Sequence, residues 1–157
     1  MNELAARCLR ELAGRSQTLA TAESLTCGLV AATLAEVPGA SQALRGGIAA
    51  YATDVKVSVL GISQELIDRA GVVSGECAEA MAHGVRVLLA SDWALATTGV
   101  AGPDRQEGHR VGTVFVAVVG PAVVRVEALR LTCGRNDIRT STVQCAFRLL
   151  DSSMRRS

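Results

Sequence analysis

A chain of 157 residues has the length of one ordinary domain, long enough to bury a core without disulfide or metal staples. Apolar residues make up 49% and aromatics only 3%, so that core is built from Ala, Val and Leu. The net charge is +1 with acids and bases interleaved, which argues against nucleic acid as the main partner.

No apolar run approaches the roughly 20 residues of a membrane helix, so no membrane partner is expected. Cys8, Cys27, Cys77, Cys133 and Cys145 are odd in number and contain no C-x-x-C pair. With no signal peptide at the start, they read as reduced thiols and point to a cytoplasmic location. His83 and His109 have no ligand partner at a suitable spacing, so no metal is expected. No Gly-rich dinucleotide loop follows the first strand, and no cofactor is implied.

In chain order, residues 2–13 place Leu4, Cys8, Leu9 and Leu12 on one helical face. Thr18 to Ala22 reads as a short strand, and Ser24 stands where a helix N-cap belongs. Pro38-Gly39 ends that helix. Gly46-Gly47 precedes a second strand, Ile48 to Tyr51, and permits close approach by a ligand or another backbone. Asp54 caps a short helix carrying Lys56, Ser63 starts another, and Ser74 caps the most regular one, with Cys77, Met81, Val85 and Leu88 on its stripe. Trp93 to Thr98 and Val111 to Val119 read as buried strands. Residues 124–131 form a half-exposed antiparallel partner with a bulge near Ala128. A closing helix turns Ile138, Thr142, Cys145, Ala146 and Leu149 inward, followed by a polar tail from about Asp151.

This order predicts an α/β fold: a single three-layer α/β/α domain, residues 1–157, with a mostly parallel sheet and one antiparallel strand. Ligands collect at the carboxyl ends of strands in such sheets, so the loops Ala22–Thr26, Tyr51–Lys56 and Thr98–Asp104 should converge. Tyr51 and Lys56 are the only tyrosine and the only lysine. Unlike arginine, a desolvated lysine can lose its proton near neutral pH. With Ser41 upstream, the stretch supplies the hydroxyl, amine and phenol of an amide-cleaving site that needs neither His nor metal.

The segments Ala22-Glu23-Ser24-Leu25-Thr26-Cys27-Gly28, Pro38-Gly39-Ala40-Ser41, Arg45-Gly46, Tyr51-x-x-x-x-Lys56 and Thr98-Gly99-Val100-Ala101-Gly102-Pro103-Asp104 recur together, followed by Val111-Gly112-Thr113-Val114. In order and spacing they resemble the CinA C-terminal domain family over essentially the whole chain. That family includes amidases that convert nicotinamide mononucleotide to nicotinic acid mononucleotide and ammonia. The resemblance implies Ser41 as nucleophile and Lys56 as general base, with Tyr51 and Thr98 in support. The helix start with Ser24, Thr26 and Gly28 is then the expected phosphate site with Arg135 as a second charge partner, Arg45 either lowers the Lys56 pKa or holds a phosphate, and backbone amides near Ser41 or Gly99 hold the oxyanion.

Leu25 and Cys27 stand where relatives have Cys and the first of two glycines, and Cys27 is a rival nucleophile. The alternative reading is a domain that binds a nucleotide or a protein partner without turnover, associated with competence or DNA-damage responses. A homodimer is the expected assembly.

Overall fold

The chain builds its sheet from three strands that share a direction and a terminal hairpin. The computed structural model describes residues 2–155, the Asn2 side chain excepted. Helix α1 (Asn2–Gly14) leads into β1 (Leu19–Glu23), α2 (Leu29–Ala35), a 3-10 turn (Ala40–Gln42) and β2 (Leu44–Ala49). Then come α3 (Thr53–Ser58), α4 (Gln64–Ala70), α5 (Gly75–Leu88), β3 (Trp93–Gly99), β4 (Thr113–Val119), β5 (Val124–Arg130) and α6 (Arg135–Met154).

The strand order is β2-β1-β3-β4-β5. β1 pairs in parallel with β2 and β3, while β3–β4 and β4–β5 are antiparallel. Four strands therefore run one way and β4 alone runs the other. Every residue of β1 is buried, as a strand covered on both faces must be. One core cluster joins Leu9 and Leu12 of α1, Leu34 of α2 and Phe147 and Leu150 of α6 on one face of the sheet. The other joins Ile67 of α4 and Met81 and Val85 of α5 on the opposite face. These are the three layers.

The helix starts at Ser63 and Ser74 are as read: their hydroxyls accept the amides of Leu66 (3.2 Å) and Cys77 (3.1 Å). The glycine pair in β2 admits a helix, since a Cβ on Gly47 would collide with the side chains of Thr21 and Ala31. α2 thus packs tightly over the sheet beside the loop that follows β1.

Two expectations need correction. The β4–β5 register runs unbroken from Thr113–Arg130 to Val119–Val124, so no bulge sits near Ala128; the lost alternation there reflects edge exposure. The one irregularity lies between Leu19 and Ala20, where β1 meets β2. The expected polar tail is mostly helix. α6 continues to Met154 and buries Ser153, Met154 and Asp151, whose carboxylate accepts Arg7 at 2.9 Å and pairs with Arg155 at 3.0 Å. Residues 156–157 of that tail lie outside the described residues.

Candidate active site

Because β1, β2 and β3 are parallel, the segments that follow them open on one edge of the sheet. Ser24 follows β1, Tyr51 and the short α3 follow β2, and Gly99 closes β3. Ser24, Tyr51 and Gly99 line a pocket of about 300 Å³ whose remaining wall is Leu25, residues 100–106 and Arg135. The three loops expected to converge do so. A larger, apolar groove of about 840 Å³ runs between α4 and α5, past Leu66, Val87 and Leu88. Lys56 lines neither cavity, but Ser24, which its Nζ approaches at 3.1 Å, lines the smaller one, so the smaller pocket is the candidate site.

Lys56 is the central group. Its residue is 1% exposed, and Nζ donates to the carbonyls of Ala50 (2.8 Å) and Tyr51 (3.0 Å) and lies 3.1 Å from Ser24 Oγ. Burial lowers its pKa from the ordinary lysine value, with Cys77 and Glu107 acting in the opposite sense. A neutral amine carries two hydrogens and one lone pair. The two carbonyls, which can only accept, take the hydrogens; the lone pair is left for the Ser24 hydroxyl. This is the geometry of a base beside its nucleophile.

Ser24 is free for that role because its neighbour caps α2. The fully buried carboxylate of Glu23 accepts the amides of Val30 (2.9 Å) and Ala31 (2.8 Å) and the hydroxyl of Thr21 (3.3 Å). Ser24 is therefore not the N-cap, and α2 begins at Leu29. Its own amide donates to Thr97 O at 2.9 Å, extending the β1–β3 ladder by one step.

The loop from Ser24 to Gly28 is fixed from two sides. Thr26, wholly buried, shares a 2.7 Å hydrogen bond with Thr97. From α6, Arg139 donates to the carbonyls of Leu25 (3.0 Å) and Thr26 (2.9 Å), charge-assisted bonds of roughly 1.5–3 kcal/mol each. One helical turn earlier, Arg135 donates to Gly102 O and, at 3.3 Å, to the Tyr51 hydroxyl. Arg135 and Arg139, four apart, thus share the face of α6 that borders the site.

The residues expected from sequence divide accordingly. Ser24, Tyr51, Gly99 and Arg135 line the pocket, Lys56 reaches it through Ser24, and Gly28 (φ 90°) is the residue before α2. Ser41 does not reach Lys56. It is exposed in the 3-10 turn before β2, whereas Lys56 follows β2, and six strand residues at about 3.3 Å each separate the ends by roughly 20 Å. Arg45 lies at the same remote end and donates to Leu89 O at 3.1 Å. The Thr26 hydroxyl is committed to Thr97. That of Thr98, also buried, donates to Val72 O at 2.6 Å, so it ties β3 to the turn before α5 and does not orient Lys56. Cys27 is exposed with φ 47°, a backbone shape that suits glycine, and its side chain is outside the pocket lining. Glu23, Thr97, Glu107 and Arg139 were missed; the spacing of Arg139 from Arg135 was the one signal available for any of them.

The fold and this edge define an α/β domain with a buried lysine held against a serine at the strand ends. The family model of the CinA C-terminal domain matches residues 1–154, and the chain belongs to that family. It is 50% identical over 139 residues to a CinA-like protein of Frankia casuarinae, covering 88% of this chain and 32% of that protein. A CinA-like protein of Gloeobacter violaceus is 47% identical over 136 residues, 85% of this chain and 32% of its own. The chain therefore spans about a third of the length of these relatives. Among solved structures, the competence/damage inducible protein CihA of Agrobacterium tumefaciens superimposes with a TM-score of 0.92 at 34% identity, over 96% of this chain and 93% of that one. The competence damage-inducible protein A (ComA) of Klebsiella pneumoniae gives 0.94 at 28% identity, over 98% and 96%. No helix among the described residues is long and apolar enough to cross a membrane.

Proposed function

We propose that this protein is an amidohydrolase that releases ammonia from the carboxamide of nicotinamide mononucleotide, with Ser24 as nucleophile and Lys56 as general base. The observation that carries the reading is the 3.1 Å approach of a buried amine, its hydrogens already engaged by two carbonyls, to the Ser24 hydroxyl.

Lys56 Nζ takes the Ser24 proton as Oγ bonds to the amide carbon. The resulting oxyanion is assigned to backbone amides of the loop after Ser24, whose peptides Arg139 holds in place. Collapse breaks the C–N bond, Nζ–H protonates the departing nitrogen as ammonia, and an acyl ester remains on Ser24. Water then adds to the ester, gives its proton to Nζ, and the return of that proton to Oγ releases the carboxylate product. Arg135 and Arg105, both on the pocket wall, supply positive charge for the substrate phosphate.

The test is ammonia release from nicotinamide mononucleotide by the purified protein, alongside Ser24→Ala. Release by the wild type and its loss in the variant support the reading, as does an acyl adduct on the Ser24 peptide after an acid quench. The solved relatives carry competence- and damage-inducible names, which support a second reading of a domain acting in such responses; in that reading it binds a nucleotide or a protein partner without turnover. Tight nucleotide binding with no ammonia from the wild type would select it.

A further inference from the structure

The pocket wall formed by Pro103–Gln106 belongs to a loop that leaves β3 and returns to β4, closed at its tip by an antiparallel bridge between Gln106 and His109. Beside that bridge, Glu107 reaches across to the turn before α5. Its Oε2 accepts two successive amides, Val72 N at 2.9 Å and Val73 N at 3.2 Å. The turn is shaped for this approach. Gly71 has φ 77°, and a Cβ there would stand 2.6 Å from the same oxygen. The turn is also tied down elsewhere: Val72 O accepts Thr98, and Ser74 both donates to Gly71 O (2.9 Å) and caps α5.

We propose that Glu107 is a positioning residue for the reaction assigned above, a clasp that holds the Pro103–Gln106 wall in place and sets the charge environment of Lys56. The proposal rests on that assignment for its kinetic part only. Lys56 Nζ touches the Ser24 hydroxyl after β1 and the Ala50 and Tyr51 carbonyls after β2, while the Cys77 thiol of α5 and the Glu107 carboxylate of the loop act on it through space. Burial pushes Cys77 up to about 11, so its thiol is uncharged at neutral pH. That leaves the Glu107 carboxylate as the negative charge opposing the desolvation of Lys56. Removing it favours the neutral amine, so the acidic limb of kcat/KM moves to lower pH. A tie that served folding alone would leave that limb where it is.

The experiment compares wild type, Glu107→Gln and Glu107→Ala in nicotinamide mononucleotide hydrolysis across pH, with hydrogen exchange of the Val72 and Val73 amides. In Glu107→Ala, KM should rise about tenfold with kcat within about threefold, as expected for lost ground-state positioning. Both variants should shift the acidic limb to lower pH. The two amides should exchange faster in Glu107→Ala, whereas Glu107→Gln, which keeps an acceptor oxygen, should largely retain protection. Unchanged KM with an unmoved limb in both variants overturns the proposal, whatever the exchange shows. If the wild type releases no ammonia, the hydrolytic assignment falls by itself and the clasp is read from nucleotide affinity. Binding of nicotinamide mononucleotide about tenfold weaker in Glu107→Ala then supports it, and unchanged affinity overturns it.

Discussion

Ser24 and Ser41 both lie upstream of Lys56 in the chain, and their fates are opposite. Ser24 stands beyond the carboxyl end of β1, beside the carbonyls that hold Lys56. Ser41 stands before the amino end of β2, exposed in a turn whose neighbours Ala40 and Ala43 anchor it to the α1–α6 core. The difference teaches that in a parallel sheet the edge on which a residue falls outweighs its distance along the chain. Lys56 is nearer in sequence to Ser41 than to Ser24. It reaches the latter because both follow strands that run side by side in one direction.

The sharpest way to break this contrast is to exchange the roles. Ser24→Ala should reduce kcat by about 10³-fold or more, while Ser41→Ala and Arg45→Ala remain within about twofold of wild type. Activity lost with Ser41 and kept without Ser24 would reverse the assignment of edges. Next in size, Lys56→Met should cost about 10³-fold in kcat. Since burial lowers the Lys56 pKa, the wild-type acidic limb should fall below the ordinary lysine range. The same shift has a stability consequence. The unfolded chain binds the proton more tightly, so stability should rise with pH between the lowered folded pKa and the ordinary value, a slope that Lys56→Met removes in urea titrations.

A smaller effect is expected on the substrate side. Arg135→Ala should raise KM for nicotinamide mononucleotide about tenfold and leave the dephosphorylated riboside nearly unaffected. Equal losses on both would make Arg135 a support for Tyr51 rather than a phosphate partner. The smallest is structural: Thr97→Val strands the buried Thr26 hydroxyl and should cost about 1–3 kcal/mol in urea unfolding, with kcat falling as the Ser24 loop loosens.

Much of this architecture could be read from the sequence. The three layers, the terminal hairpin and the converging loops all follow from hydrophobic period and glycine placement, because those signals are local, although the strand that runs against the others is β4 and not residues 124–131. What could not be read was which hydroxyl meets the lysine. Ser24 looked like a helix cap, a local role that its neighbour Glu23 performs by reaching forward to Val30 and Ala31. Strand alternation sends the two side chains to opposite faces, and no spacing rule states which one the helix uses. Thr97 and Thr98 are adjacent and equally buried, yet only the former touches the Ser24 loop. Arg139 joins α6 to Leu25 and Thr26, more than a hundred positions away, and its spacing from Arg135 marks the helix face but not the loop that it meets.

That last link bears on how the protein comes into being. Ser24 and Lys56 are both synthesised before the helix whose Arg139 grips the loop. A nascent chain therefore holds both reacting groups well before it has a finished cleft, and incomplete products should be inert. In refolding, turnover should return only when the C-terminal helix docks, behind the recovery of helical signal.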